Sequence, residues 1–208
     1  MSIPFIAVEG PIGVGKTSLS NVIADKLQFH QLKEIVDENP FLNKFYDNIE
    51  EWSFQTEMFF LCNRYKQLSD IQAIVAQKSV VADYHIFKNL IFAKRTLSSI
   101  EYAKYEAIYQ ILTKDMPVPN VIVYLHASLD TLMKRIAVRG RTFEKNMDPA
   151  YLQQLADDYD TFIAYFETAH PEITVLRFNG DELDFVNNAD DMKFIIDTID
   201  ATLRKGAL

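Results

Sequence analysis

The sequence is poor in cysteine and in basic side chains, and each shortage excludes a class of protein. Cys62 is the only cysteine among 208 residues, so the chain can form neither an internal disulfide nor a cysteine-based zinc site. Its apolar neighbours predict that Cys62 is packed as a small hydrophobic side chain. The formal net charge of −8 disfavours nucleic acid as a partner, because proteins that bind it usually carry a basic face.

Long apolar runs are also absent. No stretch approaches the roughly 18 unbroken apolar residues that a membrane span needs, and the N-terminus lacks the charged region of a secretory signal. We therefore expect a cytosolic protein without a membrane partner. Residues 1–208 contain no repeat, low-complexity tract or linker, and their number favours one domain.

Short apolar runs alternate with longer segments of helical periodicity. The predicted strands are Ile3–Val8, Val80–Ala82, Val121–Leu125 and Ile173–Phe178. The predicted helices are Thr17–Leu27, Trp52–Leu68, Arg95–Leu112, Ser128–Val138 and Tyr151–Thr168. This alternation predicts an α/β fold with a central parallel sheet of about five strands and helices on both faces.

Helical spacing also predicts which faces are buried. In the Trp52–Leu68 helix, the predicted buried stripe consists of Phe54, Met58, Leu61, Tyr65 and Leu68. In the Arg95–Leu112 helix, the residues expected to point inward are Ile100, Ala103, Ala107, Ile108 and Ile111.

A glycine-rich motif separates the first predicted strand from the first predicted helix. It reads Gly10-Pro11-Ile12-Gly13-Val14-Gly15-Lys16-Thr17, followed by Ser18, and matches the phosphate-binding pattern G-x-x-x-x-G-K-[ST]. In such a loop, backbone N–H groups and the helix N-terminus surround the β-phosphate. Lys16 would bridge the β- and γ-phosphates, and the Thr17 hydroxyl would bind Mg²⁺. We therefore predict a site for ATP and Mg²⁺.

The loop alone does not identify the reaction, because GTPases, motor ATPases and small-molecule kinases share it. A GTPase should carry the base-reading motif N-K-x-D after a later strand. The segment after Val121–Leu125 instead reads His126-Ala127-Ser128-Leu129-Asp130, which disfavours a GTPase switch.

Four further segments occur in an order typical of one family. They are Glu34-Ile35-Val36, Tyr46 with Trp52-Ser53-Phe54, Asp83-Tyr84-His85, and the stretch from Arg135 to Glu144 that reads R-I-A-V-R-G-R-T-F-E. Together with the loop they extend from Ile6 to about Phe185. On these motifs the chain resembles the deoxynucleoside kinases of the P-loop class, and among them the bacterial deoxyguanosine kinases.

The resemblance implies a role for residues around the transferred phosphate. Glu34 would accept the proton of the substrate 5′-hydroxyl, and Asp83 would hold Mg²⁺ with Thr17. A lid of about residues 135–149 would neutralise phosphoryl charge through its arginines, which are Arg135, Arg139 and Arg141. Tyr84 departs from the family, which usually has an arginine there. We expect His85 or a lid arginine to replace it.

The resemblance also implies contacts to the sugar and the ATP base. Tyr46 and Glu144 would bind the 3′-hydroxyl, and the loop containing Asp184 and Phe185 would cover the adenine of ATP. The family further implies a homodimer formed through a helical face.

Three residues predict the acceptor base. In ungapped register with Trp52-Ser53-Phe54, Glu57 replaces the family glutamine, Arg64 matches the family arginine, and Asn89 stands where aspartate is common. A carboxylate only accepts hydrogen bonds, so Glu57 suits guanine N1–H and its amine. Arg64 can donate to O6 and N7, and Asn89 can donate to O6. These residues predict guanine.

The predicted function is transfer of the ATP γ-phosphate to the 5′-hydroxyl of deoxyguanosine. Three alternatives stay open: a deoxyadenosine or broad deoxynucleoside kinase, a nucleoside monophosphate kinase of the thymidylate type, and a non-catalytic nucleotide-binding regulator. The monophosphate kinase would need an extra phosphate site, and the regulator would have no need for Glu34, Asp83 and the lid arginines together.

Overall fold

The computed structural model describes residues 3–35, 38–144 and 147–205. The strands of its sheet are β1 (Phe5–Glu9), β2 (His30–Leu32), β3 (Val80–Ala82), β4 (Val121–His126) and β5 (Thr174–Asn179). The helices are α1 (Lys16–Leu27), α2 (Leu42–Asp47), α3 (Ile49–Val75), α4 (Lys88–Thr96), α5 (Ser99–Thr113), α6 (Leu129–Arg139), α7 (Pro149–Ala169) and α8 (Ala189–Lys205). A single 3₁₀ turn, Thr142–Glu144, follows α6. Within these ranges no helix is both long and apolar enough to cross a membrane.

The sheet is entirely parallel, in the order β2-β3-β1-β4-β5. Strand β1 lies in the centre, where Ile6 pairs with Val81 of β3 and Val121 of β4. All five β1 residues are buried, which explains their nearly unbroken apolar run, since helices cover both faces of such a sheet. The prediction of a parallel five-stranded α/β fold is confirmed.

The buried side chains form two groups. One includes residues of β1 and β4 and of α1, α6, α7 and α8, and the other includes residues of α3, α4 and α5. Because all five strands are parallel, their carboxyl ends lie at one edge of the sheet, where open α/β sheets bind ligands.

Helix α3 is longer than predicted and buries different residues. It runs for 27 residues after Asn48, whose side chain accepts a hydrogen bond from the Glu51 N–H. Leu61 and Leu68 are buried as predicted. The other members of the predicted stripe are only partly buried, and polar residues are buried instead, namely Ser53, Thr56, Glu57 and Arg64. The prediction for Cys62 was wrong, because its side chain is exposed.

The predicted Arg95–Leu112 helix is two helices, and most of its predicted inward face is outside. Helix α4 ends at Thr96, and α5 begins with a capping box between Ser98 and Glu101. Ile100 and Ile111 are 73% and 76% exposed, and Ala103 and Ala107 are exposed as well. Tyr105 and Tyr109 fill the interior instead. Both faces of α5 carry apolar residues, so periodicity could not distinguish them.

Candidate active site

A cavity of about 890 Å³ lies at the carboxyl edge of the sheet. Six parts of the chain form its wall: the glycine-rich loop, the end of β2 with α2, the buried polar face of α3, the end of β3 with α4, the region of α6 and the following 3₁₀ turn, and the loop before α8. Its volume is typical of a ligand site. The sequence-predicted residues that line it are Ile12, Gly13, Gly15, Lys16, Thr17, Ser18, Glu34, Tyr46, Glu57, Arg64, Asp83, Arg135, Arg139, Arg141, Glu144, Asp184 and Phe185.

The remaining residues of the glycine-rich loop support the cavity from behind. Val14 is 1% exposed, and Gly10 has φ +145° with its Cα packed against β4. A Cβ atom on Gly10 would lie 2.1 Å from the Leu125 carbonyl oxygen, so no other residue fits there without moving the strand. Gly10, Pro11 and Val14 therefore shape the loop, and their neighbours line the cavity.

Lys16 lies at the start of α1 with its ammonium folded onto the loop. Its Nζ donates to the carbonyl oxygens of Gly10, at 2.6 Å, and Pro11, at 3.0 Å. Burial, followed by the nearby charge of Lys88, lowers the pKa of Lys16 to about 8. The charge is thus held at the loop, within reach of a phosphate in the cavity.

A hydroxyl and a carboxylate meet where α1 approaches the end of β3. Thr17 Oγ1 donates to Asp83 Oδ2 at 2.7 Å, and Asp83 Oδ1 accepts from the Glu34 N–H at 2.6 Å. Hydroxyl and carboxylate oxygens are the ligands that Mg²⁺ prefers. Among the described residues no group of three or more His, Cys, Asp or Glu could hold a metal, so phosphate oxygens or water would have to complete the coordination.

Glu34 follows β2 and carries an ion pair on each side. Lys88 Nζ lies 2.9 Å from both of its carboxylate oxygens, and Arg64 donates to Oε1 through Nε, at 3.1 Å, and through Nη2. Burial by itself would raise the pKa of Glu34, but the charges of Lys88 and Arg64 outweigh burial and lower it. Glu34 is therefore an ionised carboxylate facing the cavity. Val36, the last residue of the predicted Glu34-Ile35-Val36 motif, lies outside the described residues.

A hydrogen-bonded chain extends from Glu34 into the protein. Arg64 Nη1 donates to Asn89 Oδ1 at 2.8 Å, and Asn89 Nδ2 donates to the Tyr105 hydroxyl at 2.7 Å. Asn89 is 0% exposed and does not line the cavity. The structure therefore brings Arg64 and Glu57 to the cavity wall but places Asn89 behind Arg64, where its amide fixes the guanidinium.

Two polar atoms of α3 are buried beside the cavity without a hydrogen-bond partner among residues 3–35, 38–144 and 147–205. They are Glu57 Oε2 and Thr56 Oγ1. Burial raises the pKa of Glu57 to about 8 against the opposing charges of Arg64 and Lys88. An unpaired buried polar group costs about 1–3 kcal/mol, so a ligand is the expected partner. Sequence reasoning missed Thr56, which carries no motif signal.

The lid arginines differ in what they contact. Arg135 donates to the carbonyl oxygens of Val14 and Gly180, each at 2.8 Å, and so joins the glycine-rich loop to the loop before α8. Arg139 pairs with both oxygens of Glu144, and Arg141 lies 3.8 Å from one of them. Lys145 and Asn146, within the predicted lid, lie outside the described residues.

The remaining predicted contacts also reach the cavity. Tyr46 stacks on Phe143 with ring centroids 6.2 Å apart, and burial raises its pKa. The Phe185 ring covers the glycine-rich loop, lying 3.1 Å from where a Cβ atom of Gly15 would be. The Asp184 carboxylate accepts hydrogen bonds from Asn187, which fixes the loop before α8.

Neither Tyr84 nor His85 supplies charge to the site. The Tyr84 hydroxyl donates to Gln67 Oε1 at 3.1 Å, and its side chain is 1% exposed. Burial and the charge of His170 lower the pKa of His85 to about 3, so its ring is neutral at physiological pH. The cation that does reach Glu34 from this segment is Lys88, which sequence reasoning missed. The available signal was a lysine within the apolar stretch from Ile86 to Phe92.

The sheet order, the phosphate-type loop between β1 and α1, and the cavity lined by cations define a P-loop kinase fold. The family model for deoxynucleoside kinase matches residues 6–204. The chain belongs to the deoxynucleoside kinase family.

Two curated relatives from Bacillus subtilis (strain 168) cover nearly the whole chain. The chain is 55% identical to a deoxyguanosine kinase over 194 residues, and the aligned region covers 92% of this chain and 94% of the relative. It is 32% identical to a deoxyadenosine/deoxycytidine kinase, over 93% and 90% of the two chains. Deoxyadenosine kinase from M. mycoides, solved with bound dATP, has the same fold, with a TM-score of 0.81 and 24% identity over 95% of this chain and 99% of that chain.

Proposed function

We propose that this chain is an ATP-dependent deoxyguanosine kinase that phosphorylates the 5′-hydroxyl of deoxyguanosine. The observation that carries the base assignment is Glu57 Oε2, which has no hydrogen-bond partner in the part of the chain that the structure describes and which belongs to a side chain that lines the cavity with Arg64. Guanine offers two donors, N1–H and the exocyclic amine, to a carboxylate, and it offers O6 and N7 to a guanidinium. Adenine matches neither pattern. The 55% identity to a deoxyguanosine kinase agrees with this substrate.

Glu34 acts as the base in the proposed reaction. Its ionised carboxylate accepts the proton of the 5′-hydroxyl while the oxygen attacks the γ-phosphorus. Phosphoryl transfer depends mainly on positioning and neutralisation of charge. Lys16, Arg135, Arg139 and Arg141 supply that neutralisation from around the cavity.

Thr17 and Asp83 would hold Mg²⁺ together with the phosphate oxygens of ATP, and the ion would supply positive charge to those phosphates. The residues of the loop from Gly10 to Ser18 bind the phosphates, and Asp184 and Phe185 cover the adenine. Arg139 serves the nucleotide as well as the transferred group.

Tyr46 and Glu144 bind the sugar 3′-hydroxyl in this proposal, and Glu57 and Arg64 bind the base. Arg139 holds Glu144, and Arg64 holds Glu34. An ionised carboxylate has acceptor sites for several donors, so both groups can bind the substrate while these pairs remain. Asp83 acts beside the substrate, Asn89 acts through Arg64, and Tyr84 packs behind the site.

We also propose that residues 1–208 form one domain with a lid of about 135–149, and that two copies form a homodimer. The exposed apolar stripe of α5, made of Ile100, Ala103, Ala107 and Ile111, supports such an interface. Sedimentation equilibrium measures the mass directly, and a monomer at micromolar concentration would contradict the homodimer. A cytosolic location stays a prediction of the sequence.

A panel of the four deoxynucleosides and their monophosphates, assayed with labelled ATP, tests the function. We expect deoxyguanosine to be the best substrate, with deoxyguanosine monophosphate as product. A preference for deoxyadenosine or deoxycytidine would support a broad or adenosine-directed kinase. Phosphorylation of a monophosphate would support the monophosphate kinase, and no turnover with bound nucleotide would support a regulator.

A further inference from the structure

Lys88 is a buried lysine in a position where burial and helix geometry are both unfavourable. It is 5% exposed, and lysine is rarely buried unless it is paired. It is also the first residue of α4, where the positive end of the helix dipole disfavours a cation. The positive charge of Lys88 is therefore opposed both by burial and by the dipole of α4.

Lys88 and Arg64 contact the Glu34 carboxylate in different ways. Arg64 already pairs with Glu34, but its hydrogen bonds to that carboxylate both go to Oε1. Lys88 Nζ lies 2.9 Å from Oε1 and 2.9 Å from Oε2, so it is the cation that serves the second oxygen. Lys88 also lines the cavity together with Glu34.

The geometry leaves Lys88 with a donor to spare. A lysine ammonium carries three N–H donors, and two of them are engaged by Glu34. The structure gives Nζ no third acceptor among residues 3–35, 38–144 and 147–205. A substrate hydroxyl that donates to either Glu34 oxygen would lie about 3 Å from that oxygen. Because Nζ lies 2.9 Å from both oxygens, the hydroxyl oxygen would lie within about 6 Å of the ammonium whichever oxygen accepts.

Three other cations that line the cavity have partners besides Glu34 or away from it. Arg64 is anchored by Asn89, Arg135 by two backbone carbonyls, and Lys16 by the glycine-rich loop. Tyr84 and His85 carry no charge to this point. Lys88 differs from them in contacting both oxygens of Glu34.

We propose that Lys88 is a catalytic residue whose third N–H donates to the 5′-oxygen during transfer, an inference that rests on the proposed kinase function. The proton of the 5′-hydroxyl passes to Glu34, a bond forms between the 5′-oxygen and the γ-phosphorus, and the bond from that phosphorus to the β–γ bridging oxygen breaks. ADP leaves with the electron pair. Lys88 remains protonated throughout and stabilises the negative charge around the new bond.

The substitution K88M tests the charge while keeping an unbranched side chain, and K78M, in the exposed turn before β3, is the matched control. For K88M we expect kcat to fall by about 10²–10³, the scale of removing one donor from a developing charge. The Kd of the nucleoside, measured by calorimetry, should stay within about threefold. K78M should behave as wild type. K88M with kcat within threefold of wild type, or with Kd weakened as much as kcat falls, would overturn the proposal.

Two further variants apply if K88M does not fold. K88R keeps the charge and should keep at least about a tenth of wild-type kcat, whereas a folded K88R as inactive as a neutral variant would contradict the role. K88A should regain at least about tenfold activity with added ethylammonium, and E34Q should not. Each variant is assayed with the nucleoside that the wild-type enzyme phosphorylates best. If that nucleoside is not deoxyguanosine, the proposed substrate is wrong, but the role of Lys88 is still tested.

Discussion

The two ends of the cavity differ in how completely their polar groups are paired. At the phosphate end, Lys16, Thr17, Asp83 and Glu34 all have hydrogen-bond partners in the protein. At the base end, Glu57 Oε2 and Thr56 Oγ1 have none among the described residues. The phosphate end is therefore preformed, and the base end depends on the ligand to satisfy buried polar atoms.

Because of this difference, we expect substitutions at the phosphate end to change the turnover rate and substitutions at the base end to change the choice of nucleoside. Charges at the phosphate end act on the transferred group for every substrate, so their loss should lower turnover whatever the base. Groups at the base end contact only what distinguishes one nucleoside from another. Substitutions there should change which nucleoside is used more than how fast phosphate moves.

The substitution K16A should have the largest effect. It removes the cation that bridges the β- and γ-phosphates, and we expect kcat/KM to fall by at least about 10³-fold for all four deoxynucleosides. Steady-state assays with labelled ATP measure the fall. Activity within a few-fold of wild type would show that the glycine-rich loop does not bind the phosphates of ATP.

The substitution E34Q should have the next largest effect. It removes the proton acceptor while keeping the size of the side chain, so we expect kcat to fall by roughly 10²–10⁴. The matched control is E38Q, at an exposed position of the same loop, which should be close to wild type. An inactive E38Q beside an active E34Q would mean that the base is misassigned.

Substitutions at the base end of the cavity should change the selectivity for guanine. Wild type should prefer deoxyguanosine over deoxyadenosine by at least about tenfold, since mismatched buried polar groups cost about 1–3 kcal/mol each. The double substitution E57Q/N89D should reduce that preference and leave the best kcat within about tenfold. Asn89 acts through Arg64, so the two single effects should not add. An unchanged preference in the double variant would contradict the guanine assignment.

The smallest expected effect is a change of preference with pH. With a pKa of about 8, Glu57 is protonated in the free enzyme at neutral pH. Guanine donors need the carboxylate, so deoxyguanosine affinity should rise as pH rises toward 8. The ring acceptor of adenine suits the protonated form, so deoxyadenosine affinity should fall above 8. Calorimetry from pH 6.5 to 8.5 should show the ratio of the two affinities rising by at least about fivefold, with about 100-fold as the upper bound that this pKa sets, and E57Q should abolish the trend.

Fold and phosphate site were largely predictable because their signals are local. Glycines, Lys16 and Thr17 are consecutive, and the backbone between a strand and a helix is itself the binding element. The continuous apolar run of β1 indicated a strand buried on both faces. Ion pairs such as Glu34 with Lys88 join residues 54 positions apart, so no local sequence pattern predicts them.

The two wrong predictions of buried helix faces have different physical causes. Helix α5 carries apolar residues on two faces, and only its packing against α3 and α4 decided that Tyr105 and Tyr109 face inward while Ile100 and Ile111 face outward. Helix α3 buries Glu57 and Arg64 because its inner face borders the cavity rather than a dry core. Helical periodicity of apolar residues predicts a face that packs in a dry core. It cannot predict polar residues that are buried because they face a ligand cavity.

The sequence by itself determined the class of fold, the phosphate loop and the order of motifs that identifies the family, because each of these signals depends on residues that are close together in the chain. Only the tertiary structure decided that Asn89 lies behind Arg64, that Thr56 and Glu57 have no partner among the described residues, and that Lys88 faces both oxygens of Glu34. Those features depend on distances between elements remote in the chain. Such distances are set by how helices pack on the sheet.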